Sequence, residues 1–185
     1  MLIELLLFVL QTVVSFFTSL LLFRFYCHLI SLNLRWAGGN FGLFVFQLTD
    51  WLVLAIRRVL PPFKNADLSC VLGAYAFQFL YAGFKLFMVS RGFEFTTISL
   101  MALFDLLSAC LSSLTGLVFI SILLSWVTVN EQIRYLIQAL VEPLLRPFRV
   151  FVPLVAGIDL SPLVFLLLLQ VIQIVLQGIY RQVMF

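Results

Sequence analysis

The sequence predicts an all-α membrane protein: four transmembrane helices forming two tandem repeats of the same orientation, each with a cytoplasmic interfacial amphipathic helix. Three observations carry that expectation. Only 10% of the 185 residues are charged and 64% are hydrophobic, against roughly a quarter charged in an ordinary soluble domain, so the chain is built for lipid. Four apolar runs reach the length, about 18 residues at 1.5 Å each, needed to cross a hydrocarbon core about 30 Å thick. The second half also repeats the first at a fixed offset of ninety-two residues, the kind of self-similarity that defines a repeated unit.

The first run spans Ile3 to about Ile30. It begins Met1-Leu2-Ile3-Glu4, with no basic stretch before it and no small-x-small site after it. It is therefore expected to stay as a helix and not to be removed as a signal peptide. Gly38-Gly39-Asn40 is a turn signal, after which Phe41 to Leu60, with Gln47, Asp50, Arg57 and Arg58, reads as the first interfacial helix. The second span is Leu68 to Val89 and the third Ile98 to Val127. None of the apolar runs alternates with period two, which excludes barrel strands.

Between the third and fourth spans, Glu131, Arg134, Gln138, Glu142, Arg146 and Arg149 recur at steps of three or four, which lines them along one helical face. Ile133, Ile137, Leu140, Leu144 and Leu145 lie elsewhere around it, so this helix should rest in the headgroup plane, apolar side down. Pro143 and Pro147 each remove a backbone donor, and a break or kink is expected near Glu142. The fourth span runs from Leu160 to Val183.

Charge sets the orientation. Arg35, Arg57, Arg58 and Lys64 lie between the first two spans and Arg134, Arg146 and Arg149 between the last two, against Lys85, Arg91 and Arg181 on the other side. Cationic loops stay in the cytoplasm. Both termini are thus expected outside it.

The repeat aligns Leu52 with Leu144, Arg57 with Arg149, Pro61 with Pro153, Asp67 with Asp159, Leu68 with Leu160, Ser69 with Ser161 and Gln78 with Gln170, and sets Asp50 against Glu142. Residues 1–185 then form one membrane domain, with repeat 1 at about 3–90 and repeat 2 at about 98–183, related by a pseudo-twofold axis along the membrane normal. "IDLSP" reads as a helix start: Asp or Ser accepts from first-turn amides, and Pro162 suits the first helical position. Asp67, Ser69, Asp159 and Ser161 are accordingly capping residues. Each arginine precedes its aspartate by ten residues, with Pro61 or Pro153 between them. The arginine is expected to fold back onto that aspartate, or the two pairs to meet across the axis, as charge-assisted hydrogen bonds; anchoring of the arginines to lipid phosphates is the alternative.

Within the spans, Gln170, Gln173 and Gln177 form a polar stripe, with Gln78 the repeat mate of Gln170. Such side chains are expected to turn toward neighbouring helices. Asp105 is costly in the third span without a partner, for which Lys85 or Arg91 is the candidate. Cys27, Cys70 and Cys110 are isolated and read as small hydrophobes, and a single His28 gives no metal or bis-histidine haem set. No triad, metal cluster, G-x-G-x-x-G or P-loop is present. The expectation is of no catalytic, cofactor or metal site, and of no direct contact with nucleic acid.

"EPLLRPFRVFVPLVAGIDLSPLV" resembles the signature of the YggT family of small bacterial membrane proteins, called YlmG in Gram-positive and plastid lineages, and "RRVLPPFKNADLS" matches a degenerate second copy. The first copy departs from the signature at Trp51 and Ala55, where prolines would stand, and at Cys70, which replaces the proline after the serine. The resemblance implies an inner-membrane protein without an assigned enzyme activity, in a family associated with osmotic-stress resistance, with proximity to cell-division genes and, in plastids, with nucleoid distribution or cytochrome b6 assembly. The expected function is that of an accessory or assembly factor whose interfacial helices dock on a membrane-protein partner or on anionic headgroups. An oligomeric small-solute or ion transporter is the alternative, and parallel repeats with intramembrane polar groups are compatible with one.

Overall fold

The computed structural model describes residues 1–32, 39–58, 67–88, 94–127, 130–151 and 159–184, with the side chains of 40, 41, 132, 151 and 184 left aside. Among the described residues there are six helices and no strand: α1 (Leu2–Leu29), α2 (Gly39–Arg57), α3 (Leu68–Met88), α4 (Phe95–Trp126), α5 (Glu131–Phe151) and α6 (Ser161–Met184). Four of them, α1, α3, α4 and α6, are long and apolar enough to cross a membrane. Their ends fall within three residues of those read from hydropathy. Pro61, Pro153, Lys64, Arg35 and Arg91 lie outside the described residues.

Local chemistry ends and starts these helices. At the end of α1, Leu32 donates its amide to the Cys27 carbonyl at 2.9 Å and Ser31 to that of His28 at 3.0 Å. Ser31 takes φ 57°, the left-handed position that closes a helix and that glycine more often fills. Gly39 opens α2 with φ 50°, where a side chain would be strained. At the start of α6, Ser161 is the first helical residue and Pro162 the second, one place later than expected. Proline is equally harmless there, because the amides of the first turn have no carbonyl to bind within the helix.

The expected break near Glu142 is absent, and α5 runs unbroken through Pro143 and Pro147. Tertiary contacts hold it together. Leu136, Leu140, Val141 and Leu145 are buried against Cys27 and Val45 on one side and Val118, Phe165 and Leu169 on the other. The Tyr26 hydroxyl donates to the Leu140 carbonyl at 2.7 Å, next to the Ala139 carbonyl from which Pro143 withholds a donor.

The core is continuous between α1, α2 and α3, where Leu21, Leu22, Val53, Cys70 and Ala74 pack with Leu106 of α4. A Cβ on Gly73 would stand 3.0 Å from Leu52 and 3.5 Å from Leu21, so α3 approaches its neighbours through small residues. A separate cluster of Ala82, Leu86 and Ile98 closes the far end of α3 and α4. Since α2 and α5 both contact the C-terminal end of α1, these two helices lie at one end of the bundle.

Candidate functional site

Each arginine folds back onto the aspartate ten residues later. At the first corner, Arg57 at the end of α2 donates through Nη2 to Asp67 Oδ2, just before α3. At the second, Arg149 near the end of α5 donates through Nε to Asp159 Oδ2 at 2.9 Å, and through Nη1 to Glu142 Oε2 at 2.6 Å. The two pairs do not meet each other. Asp159 also accepts the Ser161 amide at 2.9 Å, which is the capping bond that the Asp-Leu-Ser pattern implies.

The corners differ in solvent access. The side chains of Arg57 and Asp67 are 34% and 2% exposed, those of Arg149 and Asp159 44% and 30%. Burial by itself would raise the Asp67 carboxyl, but the Arg57 hydrogen bond and charge, Arg24 behind it and Ser69 outweigh that and hold it below the usual range. At Asp159 the same contest, burial against the hydrogen bonds from Ser161 and Arg149, again ends with the carboxyl lowered. Ser69 and Ser161 are both buried. Arg146, Pro143 and Pro147 face outward beside Glu142.

The strongest polar cluster that sequence reasoning did not anticipate centres on Arg24 of α1. Its guanidinium donates to Asp50 Oδ1 at 2.6 Å and to Thr49 Oγ1 at 2.8 Å, and lies 4.4 Å from the centroid of the Phe46 ring. Arg24 is only 6% exposed. A signal existed in the sequence: a cation several residues inside an apolar run must have a partner in the bundle.

The glutamines divide. Gln78 is buried and reaches Thr18 Oγ1 at 3.4 Å, and Gln173 reaches Ser108 and Ser112 at 3.3 and 3.4 Å. Gln170 and Gln177 instead face outward from α6, contrary to the expectation that the stripe turns inward. The bulk of Phe165 and Leu169, buried against α4 and α5, fills the contact face of α6 and leaves those two amides outside it. Asp105 is half-buried in α4. Tyr81 donates to Gln11 at 3.2 Å. All three cysteines are free, with Cys27 and Cys70 buried, and among the described residues no group of three His, Cys, Asp or Glu stands close enough to hold a metal.

Comparison with known proteins gives one consistent family. The profile described as CCB3/YggT matches residues 3–88 and 100–180. An uncharacterized protein named YggT from Escherichia coli (strain K12) is 31% identical over 171 residues, covering 89% of this chain and 85% of the relative. An uncharacterized protein from the proC 3' region of Vibrio alginolyticus is 32% identical over 133 residues, 70% of this chain and 72% of its own. The uncharacterized protein PA0392 of Pseudomonas aeruginosa is 27% identical over 169 residues, 89% and 84% of the two chains. No solved structure matches significantly.

Proposed function

The chain belongs to the CCB3/YggT family, and from that premise we propose that it is a non-enzymatic accessory or assembly factor of a bacterial inner membrane, serving osmotic-stress resistance or envelope and division processes by holding a membrane-protein partner. One observation carries this reading: Gln170 and Gln177 stand on the outer face of α6 among exposed Leu167, Val171 and Ile174. An amide turned into hydrocarbon is costly, and a neighbouring helix that supplies hydrogen bonds relieves it.

The same reading makes the chain two tandem units of one orientation, α1 to α3 and α4 to α6. In its support, Tyr81 binds Gln11 in the first unit and Gln173 binds Ser108 in the second, at positions that match once five extra residues are allowed in the first. Buried Val53 likewise answers to buried Leu145. With α2 and α5 lying on the cytoplasmic headgroups, as the loop arginines favour, the termini are outside and α6 offers its glutamines within the bilayer.

Gentle detergent extraction, followed by native gels and mass spectrometry, tests the assignment. The expected result is co-migration with a larger complex that Gln170→Leu with Gln177→Leu disperses. A homo-oligomer that carries ions across liposomes would replace this reading with the transporter one.

A further inference from the structure

A cavity of about 660 Å³ opens between the C-terminal end of α4, α5 and the start of α6. Its polar wall includes Ser121, Arg134, Gln138 and Glu142, and its apolar wall Leu145 and Leu163. That size suits a small organic group and not a single ion or water. The Arg149 corner forms one edge.

The first half shows what fills the matching space there. Ser121, Gln138 and Glu142 occupy the places that Arg24, Phe46 and Asp50 hold in the first half. There the Arg24 side chain fills the space, with its guanidinium on Asp50 and against the Phe46 ring. Exchanging arginine for serine and phenylalanine for glutamine removes the occupants and keeps the carboxylate. Charge follows the same course. In the first half Arg24 and Arg57 serve Asp50 and Asp67; in the second, among the described residues, Arg149 alone serves both Glu142 and Asp159. Among the described residues the second half thus sets one cation where the first sets two. Arg134, also on the wall, has no acidic partner among the described residues.

We propose that this cavity binds a glycerophospholipid whose headgroup carries a primary ammonium beside its phosphate, the phosphoethanolamine class. The ammonium takes the place of the Arg24 guanidinium against Glu142, the phosphate meets Arg134, and the start of an acyl chain lies along Leu145 and Leu163. Three N–H donors on a primary ammonium satisfy a carboxylate that a quaternary ammonium meets with methyl groups only. The cavity lies at the end of the bundle that carries α2 and α5, the level of headgroups if those helices lie on the membrane. The inference rests on the two-unit reading and not on the accessory role.

The full chain, purified in detergent and titrated with phosphatidylethanolamine, phosphatidylcholine and phosphatidylglycerol of matched acyl chains, is read by native mass spectrometry. Phosphatidylethanolamine should be retained roughly five- to tenfold over the other two, the yield of one charge-assisted hydrogen bond at a part-exposed site. E142Q should bring that preference to within about twofold, the amide lacking the charge. Because E142Q also releases Arg149, a second variant fills the cavity as the first half does: S121R with Q138F should abolish phosphatidylethanolamine retention without lowering the unfolding temperature. Equal retention of all three lipids, preferential retention of phosphatidylglycerol, or a preference that survives both variants would overturn the assignment. So would a co-purifying polypeptide that S121R/Q138F displaces with no lipid retained, since the cation would then be a partner's side chain. Loss of the larger complex on mutating Gln170 and Gln177 is a separate readout, so failure of the accessory reading is told apart from failure of this one.

Discussion

The corner at Arg57 and Asp67 and the corner at Arg149 and Asp159 use the same residue types at the same interval, yet one is closed and the other open. In the first, small residues on α3 (Cys70, Gly73, Ala74) let α1 and α2 close over the pair, and Arg24 comes in from α1 to serve Asp50. In the second, Pro162, Phe165 and Leu166 stand at the matching places, α6 packs through bulk, and Arg149 divides itself between two carboxylates. The same local spacing therefore brings the same two residues together, while the helices around them decide whether the pair is core or surface.

The largest effect expected from this difference is on removing the arginines. Arg57→Ala leaves the Asp67 carboxylate buried without its cation, a loss of about 3 kcal/mol for a buried pair. Arg149→Ala removes a pair open to solvent and should cost roughly 1 kcal/mol or less. Thermal unfolding in detergent, supported by accumulation in membranes, measures both. Equal losses would break the comparison. The double variant of Arg149 and Asp159 sharpens it: strictly additive losses would mean that their bond contributes nothing, because coupled partners depart from additivity.

Acid should separate the corners next. Both aspartates have folded-state carboxyls lowered from the ordinary 3.8. A lowered folded value means stability that is complete above the unfolded value and is lost as pH falls through the folded one. The acid limb of the stability profile should therefore flatten on Asp67→Asn, and flatten less on Asp159→Asn, whose partner is more exposed. An unchanged acid limb in Asp67→Asn would show that its carboxylate carries no part of the acid sensitivity.

The spans were legible because hydropathy alone sets their length, and the fold-back pairs because arginine and aspartate lie ten residues apart with a proline between them. Arg24 with Asp50 was not, since twenty-five residues intervene, the two stand on different helices and the contact exists only once α1 and α2 pack. Continuity of α5 was missed for a related reason. Proline's local penalty was read correctly, but the burial of Leu140 and Leu145 and the donor from Tyr26 that offset it are tertiary. Which glutamines face inward was hidden as well, because the sequence places a glutamine within a span and does not say which face of that helix packs.

The smallest effect on stability is also the one that divides fold from function most cleanly. Gln78 donates to Thr18 inside the bundle, so Gln78→Leu should cost about 0.6 kcal/mol, the average for a hydrogen bond between membrane helices. Gln170, ninety-two residues further on, has an exposed side chain, so Gln170→Leu should leave the unfolding temperature of the isolated chain unchanged or slightly raised. If a partner helix covers α6 in the membrane, the order reverses when the readout is co-migration in native gels: Gln170→Leu weakens the complex while Gln78→Leu leaves it intact. Should Gln170→Leu change neither quantity, the open face of the second half would be lipid-facing surface, and its two outward glutamines would have no role in assembly.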